Sequence, residues 1–201
     1  MNQSISQRGN SMCYSYKPKQ AKTVSANSSS KKQQVISIPS DEVTDKIIKA
    51  STKPWFAPTL TLLDNTGLRI GELTKSQHKY KGKNDEVIYV NRPGLLLQDV
   101  LNPDGSVKNQ IEIIGKGSKH RIVPLNAKAK SAIAQLIDVF RSNLPNHQLL
   151  PITKQTVAKE IRKCKAEIGY DGHITPHTMR HRVVTKLVKA GRTKEASTIA
   201  G

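Results

Sequence analysis

Between Val87 and Leu125 the hydrophobic pattern breaks into four short runs, Val87–Val90, Leu95–Leu101, Gln110–Ile114 and His120–Leu125, each of strand length and each bounded by turn residues. Asn102-Pro103-Asp104-Gly105 supplies a turn between two of them, and Gly115-Lys116-Gly117-Ser118-Lys119 a tight turn between the last two. The middle of the chain is therefore expected to form a small antiparallel sheet. On both sides of it the apolar period is helical, so the fold class is mainly α with a small antiparallel β-sheet (α+β).

The helical segments carry their own start and stop signals. Ser40 can cap a helix bearing Val43, Ile47 and Ile48, and a second helix follows Pro54 with Trp55, Phe56, Leu60, Leu62 and Leu63. It ends at Asp64-Asn65-Thr66-Gly67, where Gly67 suits a left-handed C-terminal position. Leu68 to Leu73 restarts as a short helix with Arg69 and Glu72 three apart, and the polar stretch from Lys75 to Asp85 reads as a loop. Asn126 caps a helix carrying Ala129, Ile133, Leu136, Ile137 and Phe140; Thr153 opens another with Val157, Ile161, Cys164 and Ile168. After Gly169-Tyr170-Asp171-Gly172 a helix runs from Pro176 to Gly191, and Thr193 caps a final short one.

Residues 1–37, rich in Ser, Gln, Asn and Lys, lack a sustained apolar period and are expected to be a flexible basic arm before a folded domain over 38–201. Thirty-three Lys and Arg oppose 15 Asp and Glu in 201 residues, a net charge of +18 that is spread along the chain. Such an excess calls for a polyanionic partner, most commonly nucleic acid. Cys13 and Cys164 are too few and too far apart for a disulfide framework or a cysteine metal site. No run approaches membrane-spanning length and no signal-type apolar stretch opens the chain, so a reducing cytoplasm is expected and no membrane partner.

The chemistry concentrates in Thr175-Pro176-His177-Thr178-Met179-Arg180-His181. Thr175 reads as an N-cap and Pro176 as the first helical residue, which sets His177 and Arg180 on one face looking outward. Arg offers paired donors to phosphate oxygens, His exchanges a proton near neutral pH, and the helix N-terminus adds positive potential. A solvated charged face is the plainer reading of the same pair. Arg69 at a helix start and Lys116 at a hairpin tip are also phosphate-competent, against plainer readings as an intrahelical ion pair with Glu72 and a solvated turn lysine. Gly115-Lys116-Gly117-Ser118 is not a P-loop, because position 110 is not glycine and a strand follows. His173, His177 and His181 are spaced by four, but Arg180 between them would repel a metal ion, and no metal is expected.

Three ordered blocks resemble the landmarks of the tyrosine recombinase family, also called phage integrases: Thr66–Leu73, Ile114–Leu125 and Ile174–His181. The resemblance spans roughly residues 38–201. It implies a tyrosine-recombinase catalytic-domain fold and a DNA breaking and rejoining enzyme for integration or recombination, acting on double-stranded DNA, with further protomers on the DNA and a nucleoid-associated place in the cytoplasm. Arg69 and Arg180 then match the pair that binds the scissile phosphate, Lys116 the hairpin lysine that protonates the departing 5′-hydroxyl, His177 the proton-transfer assistant, and Glu72 an acidic residue that orients Arg69. No cofactor and no metal are implied.

Two departures qualify the resemblance. The chain reaches Ile199-Ala200-Gly201 where the family continues to a nucleophilic tyrosine, and Tyr14, Tyr16, Tyr80, Tyr89 and Tyr170 do not match that position, so no nucleophile is expected in the chain and no cleavage by it as it stands. Only the polar arm precedes residue 38, where the family has a helical core-binding domain. The competing reading is a non-catalytic DNA-binding remnant of an integrase. An RNA-binding protein is a third reading, disfavoured by an aromatic content of 4%, which leaves few stacking platforms.

Overall fold

The computed structural model describes residues 38–81, 84–114, 120–141 and 143–200. The basic arm and the Gly115–Lys119 turn with Lys116 lie outside the described residues. Helix α1 (Asp41–Ala50) begins where the Ser40 hydroxyl accepts the Val43 N–H at 3.2 Å, and Asp41 and Glu42 place negative charge at the positive end of its dipole. Helix α2 (Phe56–Thr66) is apolar on nearly all sides, with Phe56, Leu60, Leu62 and Leu63 fully buried. A helix of that composition can only be central. It packs against α5 (Ala127–Phe140) on one side and α7 (Pro176–Lys189) on another.

Between these layers run α3 (Ile70–Leu73), strands β1 (Ser76–Lys81) and β2 (Val87–Arg92), helix α4 (Leu97–Val100), and strands β3 (Gln110–Ile114) and β4 (His120–Pro124). Helices α6 (Lys154–Glu167) and α8 (Thr193–Ala200) complete the unit, α6 against α1 and α8 against α7. The caps at Asn126, Thr153 and Thr175 form as expected, each side chain accepting an N–H of the first helical turn.

Three expectations are corrected. The polar stretch after Lys75 is not a loop up to Asp85: Ser76–Lys81 pairs in register with Val87–Arg92, from Ser76 opposite Arg92 to Lys81 opposite Val87. The partner strand, not local propensity, makes β1 extended. Leu95–Leu101 is not a strand. The Asp99 carboxylate accepts the Leu96 N–H at 2.8 Å and closes a helical turn that buries Leu97 and Val100. Because α4 occupies the place of a connecting strand, the single sheet becomes two separate antiparallel ribbons, β1–β2 and β3–β4.

The β3–β4 ribbon is two-faced. Ile111, Ile113 and Val123 point into the core, whereas Glu112, Ile114 and Ile122 face outward. Arg121, paired with Ile113, stands at a core-facing register position.

Helix α7 is tied to the front of the domain by charge as well as packing. The buried Arg182 guanidinium donates to Asp64 at 2.7 and 3.1 Å, to Asp41 at 2.5 Å and to the Pro39 carbonyl at 2.6 Å, with the Lys186 ammonium 3.2 Å from Asp64. Asp64 is 14% exposed and Asp41 76%. Removing the buried partner leaves the Arg182 cation only the exposed Asp41 and the Pro39 carbonyl, so Asp64→Ala is expected to cost about 3 kcal/mol of stability. Asp41→Ala should cost at most about 1 kcal/mol, because water screens that side of the pair. Denaturant unfolding of the two variants checks the ordering.

Candidate functional site

The site begins at the end of α2. Gly67 closes that helix in the left-handed region, φ 62°, with its N–H on the Leu63 carbonyl at 3.0 Å. A Cβ there would also lie 2.6 Å from the Ile199 side chain, so glycine is needed for space as well as conformation. The reversal buries Leu68 and delivers Arg69 to the N-cap of α3. Arg69 is thus outside the short helix that the sequence suggested would contain it, and it is tied to Glu72 twice. Its backbone N–H donates to Glu72 Oε2 at 2.7 Å and its Nη1 to Oε1 at 3.2 Å. The Arg69 side chain is 36% exposed while Glu72 is only 8% exposed. The arginine therefore keeps access to solvent and its anchor does not.

Strand β4 contributes a residue that the sequence reading missed. Arg121, 8% exposed, donates Nη1 and Nη2 to the two Glu72 oxygens at 2.9 and 2.7 Å, a bidentate fork. Burial alone would raise the Glu72 carboxyl, but hydrogen bonds from Arg121 and Arg69 and the Arg121 charge outweigh it and hold the group below its ordinary value. Glu72 is an anion at neutral pH. A signal was present in the sequence: positions 121, 123 and 125 share one strand face, two of them are Val123 and Leu125, and an arginine in that company requires a buried anion.

Helix α7 supplies the opposite side. Its N-terminus is capped as expected, Thr175 accepting the Thr178 N–H with Pro176 in the first turn. His177 is exposed and stacks edge-on against His181, ring centroids 4.5 Å apart. Arg180 does not look outward with it: the residue is 4% exposed. Its Nη1 donates to the Gly67 carbonyl at 2.6 Å and its Nη2 to the Ile199 carbonyl, so the ends of α2 and α8 aim the guanidinium. Burial, then the charges of Arg69 and Arg121, push the Arg180 pKa down to about 10, with Glu72 partly offsetting them. It stays a cation at pH 7.

Arg180 thereby feels the charges of Arg69, Arg121 and Glu72, and His177 those of Arg69 and Arg180. Two guanidinium groups, of Arg69 and Arg121, bond the one carboxylate and a third, of Arg180, lies close enough to feel its charge, which leaves the partly buried site with excess positive charge and, on Arg69, exposed donor surface. That arrangement suits an oxyanion. Lys116 lies outside the described residues, although β3 and β4, which flank its turn, are described. Among the described residues no group of three or more His, Cys, Asp or Glu side chains is placed to hold a metal ion. No described helix is long and apolar enough to cross a membrane.

Burial, then the charges of His181, Arg180 and Arg69, lower the His177 pKa from the ordinary 6.5. The folded state thus resists a proton that the unfolded chain accepts, and this residue's contribution to stability is lost as pH falls below about 6.5. An anion seated among the arginines reverses the shift. In an NMR titration the His177 imidazole is expected to titrate below 6.5 in the free protein and higher once inorganic phosphate saturates the site; no upward movement would mean that phosphate does not sit beside it.

A family model described as the phage integrase family matches residues 32–199. The tyrosine recombinase XerC of Brucella melitensis biotype 1 is 31% identical over 150 residues, which are 69% of this chain and 41% of that protein. The chain thus spans less than half the length of this curated relative. Among solved structures, the XerA recombinase superposes with a TM-score of 0.57 at 23% identity, over 80% of this chain and 53% of that one. A lambda integrase dimer bound to a COC′ core site gives 0.55 at 14% identity, over 81% and 56%. These likenesses establish the same fold, helices around small antiparallel sheets, as that of recombinase structures. With the family match running over nearly the whole described region, the chain belongs to the phage integrase family.

Proposed function

We propose that the chain forms the phosphate-binding part of a site-specific recombinase, which breaks and rejoins double-stranded DNA during integration or recombination. The observation that carries this reading is the convergence of Arg69, Arg180 and His177, with the Glu72 carboxylate that orients Arg69 already engaged by Arg121. The reaction is a transesterification. A hydroxyl attacks the phosphorus, the 5′-oxygen departs, and extra negative charge builds on the non-bridging oxygens in the transition state.

Each residue then has a task. Arg69 and Arg180 donate to the non-bridging oxygens, each worth ~3 kcal/mol of barrier by analogy with single oxyanion donors. Both are held by neighbours before substrate arrives. His177, neutral at pH 7 without an anion, can accept a proton from the nucleophile or share one with the phosphate. Lys116 is assigned the proton donated to the departing 5′-oxygen, and Glu72 the orientation of Arg69. No tyrosine of the chain is assigned as nucleophile: Tyr89 stands on exposed β2, and Tyr170 packs against the core in the loop after α6. No cofactor is assigned.

Duplex DNA is the partner that the net charge of +18 and the family membership favour, with further copies of the protein on the same DNA, and the nucleoid as the place of action. The lambda integrase structure, a dimer on a core site, supports that choice by analogy.

Binding to a fluorescent duplex across a salt series tests the reading. Affinity should fall steeply with salt, and Arg69→Ala should weaken binding and flatten the log–log slope by roughly 0.9, the value for one lost phosphate contact, whereas Arg180→Lys, which keeps the charge but loses the paired donors, should weaken binding with little change of slope. In a version extended at its C-terminus by a recombinase segment bearing a tyrosine, a nicked cognate duplex should trap a covalent protein–DNA adduct, and Arg180→Lys should slow its formation by about 10² or more. Unaltered binding and adduct formation in these variants would reject the assigned roles. Binding that persists with no adduct on a cognate site would instead favour the non-catalytic remnant.

A further inference from the structure

We infer that Arg121 is a positioning residue of the phosphate site, which occupies Glu72 so that Arg69 keeps its positive charge and donors for the anion. The inference rests on the phosphate-site reading above and deepens it. Four N–H donors meet the Glu72 carboxylate among the described residues: the Arg69 backbone N–H, Arg69 Nη1, and both Nη groups of Arg121. The shorter side-chain bonds, 2.9 and 2.7 Å, belong to Arg121, while Arg69 reaches its oxygen at 3.2 Å. Arg121 is thus the carboxylate's main counter-ion, and Arg69 is oriented by Glu72 without being neutralised by it.

Stability alone does not account for this arginine. Its register partner is the core residue Ile113 and its face-mate the core residue Val123, so an aliphatic side chain would suit the position. Replacing a buried ion pair by packed apolar groups is often neutral or stabilising. Moreover, Arg121 Nε is buried with no hydrogen-bond partner among the described residues, a cost that a purely structural cation could avoid. Position supplies a second argument. Arg121 lies on β4, so its fork to Glu72 fastens the β3–β4 ribbon to α3 beside Arg69.

The test is duplex binding across a salt series by the full chain, with thermal melting in parallel, for Arg121→Gln, Glu72→Gln, their double variant, Arg121→Lys and Arg69→Ala. In Arg121→Gln the unshared Glu72 anion draws in Arg69; affinity is expected to fall about tenfold and the salt slope to flatten by roughly 0.9, although Arg121 itself is buried from the DNA. Adding Glu72→Gln should free Arg69 and restore most of the affinity. A merely structural role would show no such rescue.

If Arg121→Gln does not fold, Arg121→Lys carries the test: an ammonium cannot grip both oxygens, so a smaller loss in the same direction is expected. Native-like affinity and slope in the folded Arg121 variants, or a double variant no better than Arg121→Gln, would overturn the inference. The two levels separate through the Arg69 control. Weakening by Arg69→Ala without any by the Arg121 variants rejects only the role of Arg121, whereas an indifferent Arg69→Ala rejects the phosphate site itself.

Discussion

A single buried carboxylate, Glu72, organises the site, because it is 8% exposed and can stay charged there only while cations hold it. Arg69 and Arg121 both do so, one from the N-cap of α3 and one from β4. The consequence is a surplus of positive charge around a fixed anion, so that a second anion can be accommodated beside the first. Arg180 adds to the surplus from α7, and burial together with the charges of Arg69 and Arg121 lowers its pKa to about 10. In a site of low effective dielectric such cations attract an oxyanion far better than the same groups would in water.

The helical scaffold exists, for this purpose, to bring three distant segments to one point. Apolar α2 is clamped between α5 and α7, and its left-handed terminus at Gly67 both projects Arg69 and offers a carbonyl to Arg180. One residue therefore couples the two arginines mechanically. The Arg182–Asp64 network on the far side of the same helix pair keeps α7 from sliding along α2, which would misplace His177 and Arg180 together. Packing, capping and ion pairing thus serve one geometric requirement.

Much of this was legible locally. Ser40, Asn126, Thr153 and Thr175 each announced a helix start that formed, Gly67 announced a left-handed stop, and β3 and β4 fell where short alternating runs placed them. What was missed depended on specific partners, some near and some remote in sequence. β1 is polar by composition and becomes a strand only through β2, and α4 looked like a strand until Asp99 capped it. Arg121 finds Glu72 across 49 residues and Arg182 finds Asp64 across 118, distances at which no local pattern reports. The outward pointing expected for Arg180 failed for the same reason: the carbonyls that turn it inward belong to Gly67 and Ile199. For Arg121 a charged residue on an otherwise apolar strand face, beside Val123 and Leu125, was the trace left in the sequence.

The account stands most directly on where a DNA phosphate lies. A crystal structure of the chain with a duplex oligonucleotide is expected to place one backbone phosphate within hydrogen-bond distance of both Arg69 and Arg180, beside His177, with the Arg121–Glu72 fork unchanged. Duplex bound on another face, with Arg180 still engaged only by the Gly67 and Ile199 carbonyls and no anion at Arg69, would contradict it.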